Sequence, residues 1–264
     1  MGSASSQALT ETKSALGDLR GTVDLATGED LFAVGRIIAE SAPLRGILFD
    51  SSLSIETRQS TVDRVFGNRA GANVLTIVRT VASSRWSTGA EALAAIEELG
   101  IRAIALSTPA TVSLGAELFA VSKAVSSNAE LELTLGSKLV APEAKVALIV
   151  RLLGAKAAQQ TVAIVRQLVR HTRGRRFVTL LQRAASIVAD QGGALVATAR
   201  VARPLSIDQV ARLEKALSHS YGRAVAANVV VDPTAIGGVQ VRVGDDLIDG
   251  SIASRFSDLR LQVV

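Results

Sequence analysis

The chain has 264 residues, a net charge of +5, no cysteine, and 48% hydrophobic content with only 3% aromatic residues. The lack of cysteine excludes a disulfide framework and any cysteine-ligated metal or cluster, and the length admits two or three domains with a sizeable core. Mean hydropathy is high at +0.34, yet no run of about 18 apolar residues occurs, which argues against a membrane span and for apolar surface hidden against partners.

The N-terminal segment, Met1 to Ser6, has no basic region followed by an apolar stretch, so no secretory signal is read. A first helix is predicted over about 5–21. A second carries Leu31-Phe32-Ala33-Val34, and this element returns as Leu118-Phe119-Ala120-Val121, 87 residues later. The same offset, without a gap, pairs Leu44 with Leu131, Leu48 with Leu135, Gly67 with Gly154, and Ile77-Val78-Arg79 with Ile164-Val165-Arg166. Such a series marks one helical module used twice. Each copy is predicted to run through the Leu-Phe-Ala-Val helix, a short turn of helix, and a helix that opens at Ser54-Ile55-Glu56 or at Ala141-Pro142-Glu143. Pro142 suits a first helical turn, where its missing N–H costs nothing. That helix ends at Gly67 or Gly154, each expected to cap it in the left-handed conformation. Two further helices follow, over 71–84 or 157–171 and over 88–106 or 175–190. Pro109 breaks helicity in the polar segment 107–113.

After Gly192-Gly193 the pattern changes. Leu195–Val201 reads as a strand, 206–220 as an amphipathic helix capped by Ser206 and ended by Gly222, and Val225–Val231 as a second strand. Val239, Val241 and Val243 alternate with Gln240 and Arg242 in a third strand. Gly237-Gly238 lets the chain turn into it, and Gly244-Asp245-Asp246 reverses it toward Leu247-Ile248. Asp249-Gly250-Ser251 then opens a last helix, with Asp249 or Ser251 as its cap. The expected fold is mainly α: two tandem helical bundles, 1–106 and 107–193, and a small α/β domain, 194–264.

The C-terminal stretch resembles the signature of the delta subunit of F-type ATP synthases, the family of the oligomycin-sensitivity-conferring protein. The residues that carry the likeness are Asp232-Pro233, Gly237-Gly238, the Val241-Arg-Val-Gly244-Asp245 run, and Ile248-Asp249-Gly250-Ser251 followed by Arg255. Residues from about 113 onward follow the family's plan of a six-helix bundle and an α/β domain. The extra bundle ahead of it resembles the actinobacterial form, which is either free or fused behind a b-type stalk segment.

Candidate chemistry in the residues is sparse. His171 and His219 lack partners at metal-ligand spacing and read as solvated or helix-end side chains. Asp245, Asp246 and Asp249 lack the oxygen-ligand ladder of an EF-hand and read as turn and cap residues. Gly237-Gly238 enters a strand, whereas a phosphate loop leaves one and ends in Lys-Ser/Thr, so nucleotide binding is not expected. Arg170, Arg173, Arg175 and Arg176 form the densest basic cluster, read as a solvated or partner-facing loop with Phe177 in the core. Trp86 suits core packing or a contact between units or with a partner. Ala72, Ala82, Ala157, Ala158 and Ala163 either pack tightly within a bundle or leave room for an incoming helix.

The resemblance implies a non-catalytic stator subunit with no cofactor and no metal. Its implied partners are N-terminal segments of the alpha subunits and the b-type peripheral stalk, with contact to the membrane only through the complex, at the cytoplasmic face of the plasma membrane. The second bundle is expected to bind alpha more strongly, because it directly precedes the α/β domain. The alternative is a nucleic-acid-binding helical adaptor, which would show steeply salt-dependent affinity for RNA or DNA.

Overall fold

A computed structural model of the chain describes residues 2–137, 139–172, 175–232, 238–243 and 246–249. The chain divides into two compact units, Met1–Val188 and Ala189–Val264. The first is all helical: α1 (Ser3–Asp18), α2 (Leu25–Glu40), α3 (Ala42–Leu48), α4 (Ile55–Phe66), α5 (Ala72–Ser83), α6 (Gly89–Ser107), α7 (Leu114–Ser126), α8 (Ala129–Gly136), α9 (Pro142–Leu153), α10 (Gln159–Arg170) and α11 (Phe177–Gln191). Short polar side chains set where these helices begin. Ser41, Ser54, Thr88 and Asn128 each accept a hydrogen bond from the backbone N–H three residues on, satisfying a donor the helix itself leaves free. Pro142 opens α9 as its missing N–H allows.

The 87-residue repeat is visible in the element bounds. Helices α4 and α9 start at Ile55 and Pro142 and stop at Phe66 and Leu153, and α5 and α10 run from Ala72 and Gln159 to Ser83 and Arg170. Every one of these pairs is separated by the distance between Leu31 and Leu118. Burial follows the same register: Leu31 and Leu118, Leu48 and Leu135, Val62 and Ile149, and Ile77 and Ile164 are all buried.

The glycines that end α4 and α9 correct one expectation. Gly67 and Gly154 are not left-handed caps; both keep right-handed helical geometry, at φ −53° and −55°. Each donates its N–H to the carbonyl four residues back, at 2.9 Å to Asp63 and 2.8 Å to Val150. A Cβ at these positions would stand 2.4 Å and 2.7 Å from those same oxygens. Glycine is required there by a close backbone approach, not by a positive φ.

The offset also carries α1 onto α6. The buried face of α1, formed by Ser5, Ala8, Thr12 and Leu16, falls on Ala92, Ala95, Leu99 and Ala103, all buried in α6. Helix α6 is therefore both the last helix of the first copy and the first helix of the second. This double duty explains why α6 is buried around its circumference from Glu98 to Ile104, whereas a surface helix buries one stripe. One hydrophobic cluster gathers Leu31, Val62, Phe66, Ile77, Ile96 and Leu99. The other gathers Leu118, Ile149, Ile164, Leu168, Phe177 and Leu181, and takes Phe32, Ile101 and Ile104 from the first copy. Close packing of α2 on α6 rests on Gly28 and Gly100: a Cβ on Gly28 would lie 2.8 Å from the Gly100 carbonyl, and one on Gly100 would lie 2.5 Å from the Phe32 ring.

The second unit is a four-stranded sheet with one helix. Strands β1 (Leu195–Val201), β2 (Val225–Val231), β3 (Val239–Val243) and β4 (Asp246–Asp249) stand in the order β2-β1-β3-β4, with α12 (Ile207–Tyr221) crossing from β1 to β2. The β1–β2 pair is parallel and the other two pairs are antiparallel. Ala197, Ala199 and Val201 point alternately inward and, with Val241, Val243 and Leu217, belong to the buried residues of this unit. Ser206 and Gln209 form a reciprocal capping box at the start of α12, and Gly222 ends it in the left-handed conformation at φ 64°. The fold is mainly α with a small α/β region, as the sequence predicts. The last helix predicted after Asp249 lies outside the described residues.

Candidate docking surfaces

No group of three or more His, Cys, Asp or Glu side chains among the described residues is placed to hold a metal ion. His171 stands at the C-terminal cap of α10 and His219 is exposed in the last turn of α12. No described helix is long and apolar enough to cross a membrane. What the molecule offers is surfaces and the joints beneath them.

The basic cluster opens out around the start of α11. Arg175 and Arg176 are exposed, Arg176 pairs with Glu132 at 3.1 Å, and Phe177 is buried. Arg173 lies outside the described residues. With Phe177 in the core, no described aromatic side chain is interleaved with these arginines for base stacking. Trp86 is a core residue: it is buried, and its indole N–H donates to the Val81 carbonyl at 2.8 Å. Ala82 and Ala163 are buried within their own bundles, Ala157 and Ala158 are half-buried, and Ala72 is exposed.

The joint between the two copies is a helix lying in a groove. Leu25, Gly28, Phe32 and Arg36 form one stripe of α2 at helical spacing. Leu25 and Phe32 enter the second copy's core, and Arg36 donates to the Gln167 carboxamide of α10 at 2.8 Å. Glu29 faces Arg166 at 3.7 Å. Burial, followed by the like charges of Arg170 and Arg166, lowers the Arg36 guanidinium below its ordinary range. Beneath this joint, the nearly buried Glu98 carboxylate of α6 meets Arg102 at 2.9 Å, Lys13 of α1 at 3.3 Å and Arg183 of α11 at 3.7 Å. One carboxylate thus draws cations from both copies. Sequence reasoning passed over this centre; its trace was Glu97, Glu98 and Arg102 amid the apolar residues in the middle of α6.

An open groove of about 900 Å³ lies between α8 and the start of α11. Leu133, Val140, Gly136 and Phe177 supply its apolar wall, and Glu132, Arg175 and Arg176 stand at its edge. Leu133 is 74% exposed, and Leu139 in the α8–α9 connection is 98% exposed. In the first copy the place of Gly136 is held by Phe49. That ring packs against the first core and lies 3.3 Å from where a Cβ on Gly89 would be.

The signature residues of the α/β unit are partly within the described structure. Asp232 follows β2 and its N–H donates to the Val201 carbonyl at 2.8 Å. Gly238 precedes β3 with φ 82°. Asp249 closes β4, opposite Gln240, whose side-chain amide donates to its carboxylate at 3.2 Å. Pro233, Gly237, Gly244, Asp245, Gly250 and Ser251 lie outside the described residues.

Comparison with known proteins gives a consistent result. Residues 101–263 match the family described as ATP synthase delta (OSCP) subunit. The chain is 49% identical over 263 residues to ATP synthase subunit delta of Leifsonia xyli subsp. xyli, covering 100% of this chain and 99% of the relative. It is 33% identical over 271 residues to the subunit delta of Rhodococcus opacus, covering 98% of each. With the subunit delta of Streptomyces coelicolor it shares 33% identity over 264 residues, covering 98% of this chain and 96% of that one. The family match begins inside α6, and the relatives extend across both helical copies.

Proposed function

The chain belongs to the ATP synthase delta (OSCP) subunit family, in the actinobacterial form with a duplicated helical bundle, and from that premise we propose that it is the non-catalytic stator link of an F-type ATP synthase. In this reading the helical copies receive N-terminal segments of the alpha subunits, the second copy more strongly because it leads directly into the α/β unit. The α/β unit meets the C-terminal part of the b-type stalk. The subunit would then sit peripherally at the cytoplasmic face of the plasma membrane, resisting the torque that central-stalk rotation exerts on the catalytic head.

The observation that supports this role is the sharing of α6. A stator linker must transmit force without a hinge. Two bundles joined by a flexible linker would yield at the linker. Two bundles that own one helix in common, with Phe32, Ile101 and Ile104 crossing into the second core, have no such weak point, because close-packed interiors transmit strain.

The test is calorimetric titration of the full chain with a peptide of the alpha N-terminus and with a C-terminal b-type helix, at low and high salt. Both should bind saturably and together, with little salt dependence, because helix-in-groove contacts are mainly apolar. Failure of the alpha peptide to bind would refute the role assigned to the helical copies. Tight RNA binding that collapses with salt would favour the adaptor reading instead.

A further inference from the structure

The two copies part company over charge at one place where the repeat predicts likeness. In the first copy Arg79 of α5 is neutralised by Asp63 of α4, at 2.6 Å. Carried forward by 87 residues, Arg79 becomes Arg166, but Asp63 becomes Val150 and Ser83 becomes Arg170. The second copy has lost the carboxylate that serves this arginine and has gained a further cation one turn away on the same face of α10. A third, Arg36, reaches the place from α2 of the first copy, donating to Gln167 at 2.8 Å. Arg36, Arg166 and Arg170 line a small open pocket of about 40 Å³ between α2 and α10, and Glu29 is the one carboxylate among the described residues that line it. We propose that this pocket binds a small dianionic oxyanion of the phosphate class, which clamps the two helical copies together.

Each arginine lacks something an anion would supply. Glu29 stands 3.7 Å from Arg166, beyond ordinary hydrogen-bond reach, so Arg166 is only partly compensated. The Nε–H of Arg170 is buried and has no acceptor among the described residues, and a buried donor left unpaired is costly. Burial first, and then the nearby charges of Arg170 and Arg166, disfavour the charged form of Arg36. Phosphate suits these donors, because planar guanidinium forks grip its oxygens in pairs. The pocket is about three times the size that one water requires, enough for such an ion seated with one side open to solvent. Helix α2 belongs to the first copy and α10 to the second. An ion held by Arg36 on one side and by Arg166 and Arg170 on the other therefore ties the copies across their joint, where the same three cations otherwise repel.

The test titrates the full chain, isotopically labelled, with inorganic phosphate and in parallel with ADP, against chloride at the same ionic strength. Phosphate should produce saturable amide shifts in α10 and the facing part of α2 that chloride does not reproduce, and it should raise the melting temperature. Arg170→Gln should weaken binding about tenfold. Val150→Asp, at an exposed position, removes no arginine but gives Arg166 the partner that Arg79 has in Asp63; it should weaken binding about threefold or more. ADP binding tighter than phosphate and weakened by the same two exchanges would uphold the site and assign it to a phosphate carried on a nucleotide; equal or weaker ADP would assign it to the free ion. Shifts that chloride reproduces, saturable shifts centred elsewhere, or an affinity unchanged in either variant would overturn the proposal.

Discussion

Asp24 shows how a single side chain sets an element in place. Its carboxylate accepts from both the backbone N–H and the hydroxyl of Thr27, at 2.8 and 2.6 Å, while the Asp24 N–H donates back to Thr27. The Thr27 hydroxyl first, and its backbone N–H second, lower the Asp24 carboxyl below its ordinary pKa. A carboxyl depressed in the folded state stabilises the fold above its unfolded pKa, and that contribution fades as pH falls through the folded value. Replacement by alanine should therefore cost about 1 kcal/mol at pH 7. The gap between the two proteins, read from urea unfolding, should narrow in acid below pH 3.8, the unperturbed value, because a protonated carboxyl accepts the cap hydrogen bond more weakly than a carboxylate. Gly238 makes the complementary point for the backbone. With φ at 82°, an alanine there would hold a conformation that L-residues disfavour, and Gly238→Ala should lower stability by more than about 1 kcal/mol. An unchanged melting temperature would show that the turn into β3 relaxes freely. Gly67 and Gly154 looked like the same kind of residue in the sequence. A glycine after a helix serves either a positive φ or a close carbonyl, and composition alone does not separate the two.

Among elements, the helices were legible and their sharing was not. Ungapped identities such as Leu31 with Leu118 and Ile77 with Ile164 exposed the repeat, because buried positions tolerate little change in volume. Bounds for β1 and β2 followed from apolar runs flanked by glycine. The double role of α6 was hidden because a helix buried on two faces reads only as a more apolar helix, and periodicity does not say which neighbours cover it. The groove was hidden for a simpler reason: it lies between elements distant in sequence, and the glycine that lines it, Gly136, is unremarkable near a helix end. The packing of α2 on α6 yields a prediction at this scale. Gly28→Ala would place a Cβ 2.8 Å from the Gly100 carbonyl and 2.3 Å from Ile104 Cγ1. Ile104 can rotate away, but the carbonyl cannot, so the helices must separate. A loss of about 1–3 kcal/mol is expected from overpacking, against the gain that a helix-interior Gly→Ala exchange would otherwise bring. Gly115, its counterpart in α7, has open space where a Cβ would stand, and the same exchange there should leave stability unchanged or raise it. Differential scanning calorimetry of the two variants makes the comparison.

For the whole molecule, the shared helix decides where the chain can be cut. A fragment beginning at residue 107 lacks α6 and with it Ile101 and Ile104, which belong to the second hydrophobic cluster, and it also strands Arg183 without Glu98. A fragment beginning at residue 87 keeps them. The helical part of the longer fragment should melt in a cooperative transition followed by far-UV circular dichroism, and that of the shorter one should not, whatever the α/β unit, with its own core, does in either. If both fold equally well, the second copy does not need α6.

A duplication that reuses its last helix as the next first helix also governs how such a chain can lengthen. Each added copy contributes five new helices and not six, because the sixth is already present. The scheme is that of repeat proteins, whose stability is a sum of intrinsic terms and nearest-neighbour interfaces. In this chain the step is 87 residues, the spacing from Leu31 to Leu118. An insertion in a connecting loop would leave this arrangement alone, but one residue inserted within α6 would turn part of the helix by about 100° and carry one of its buried faces out of its core.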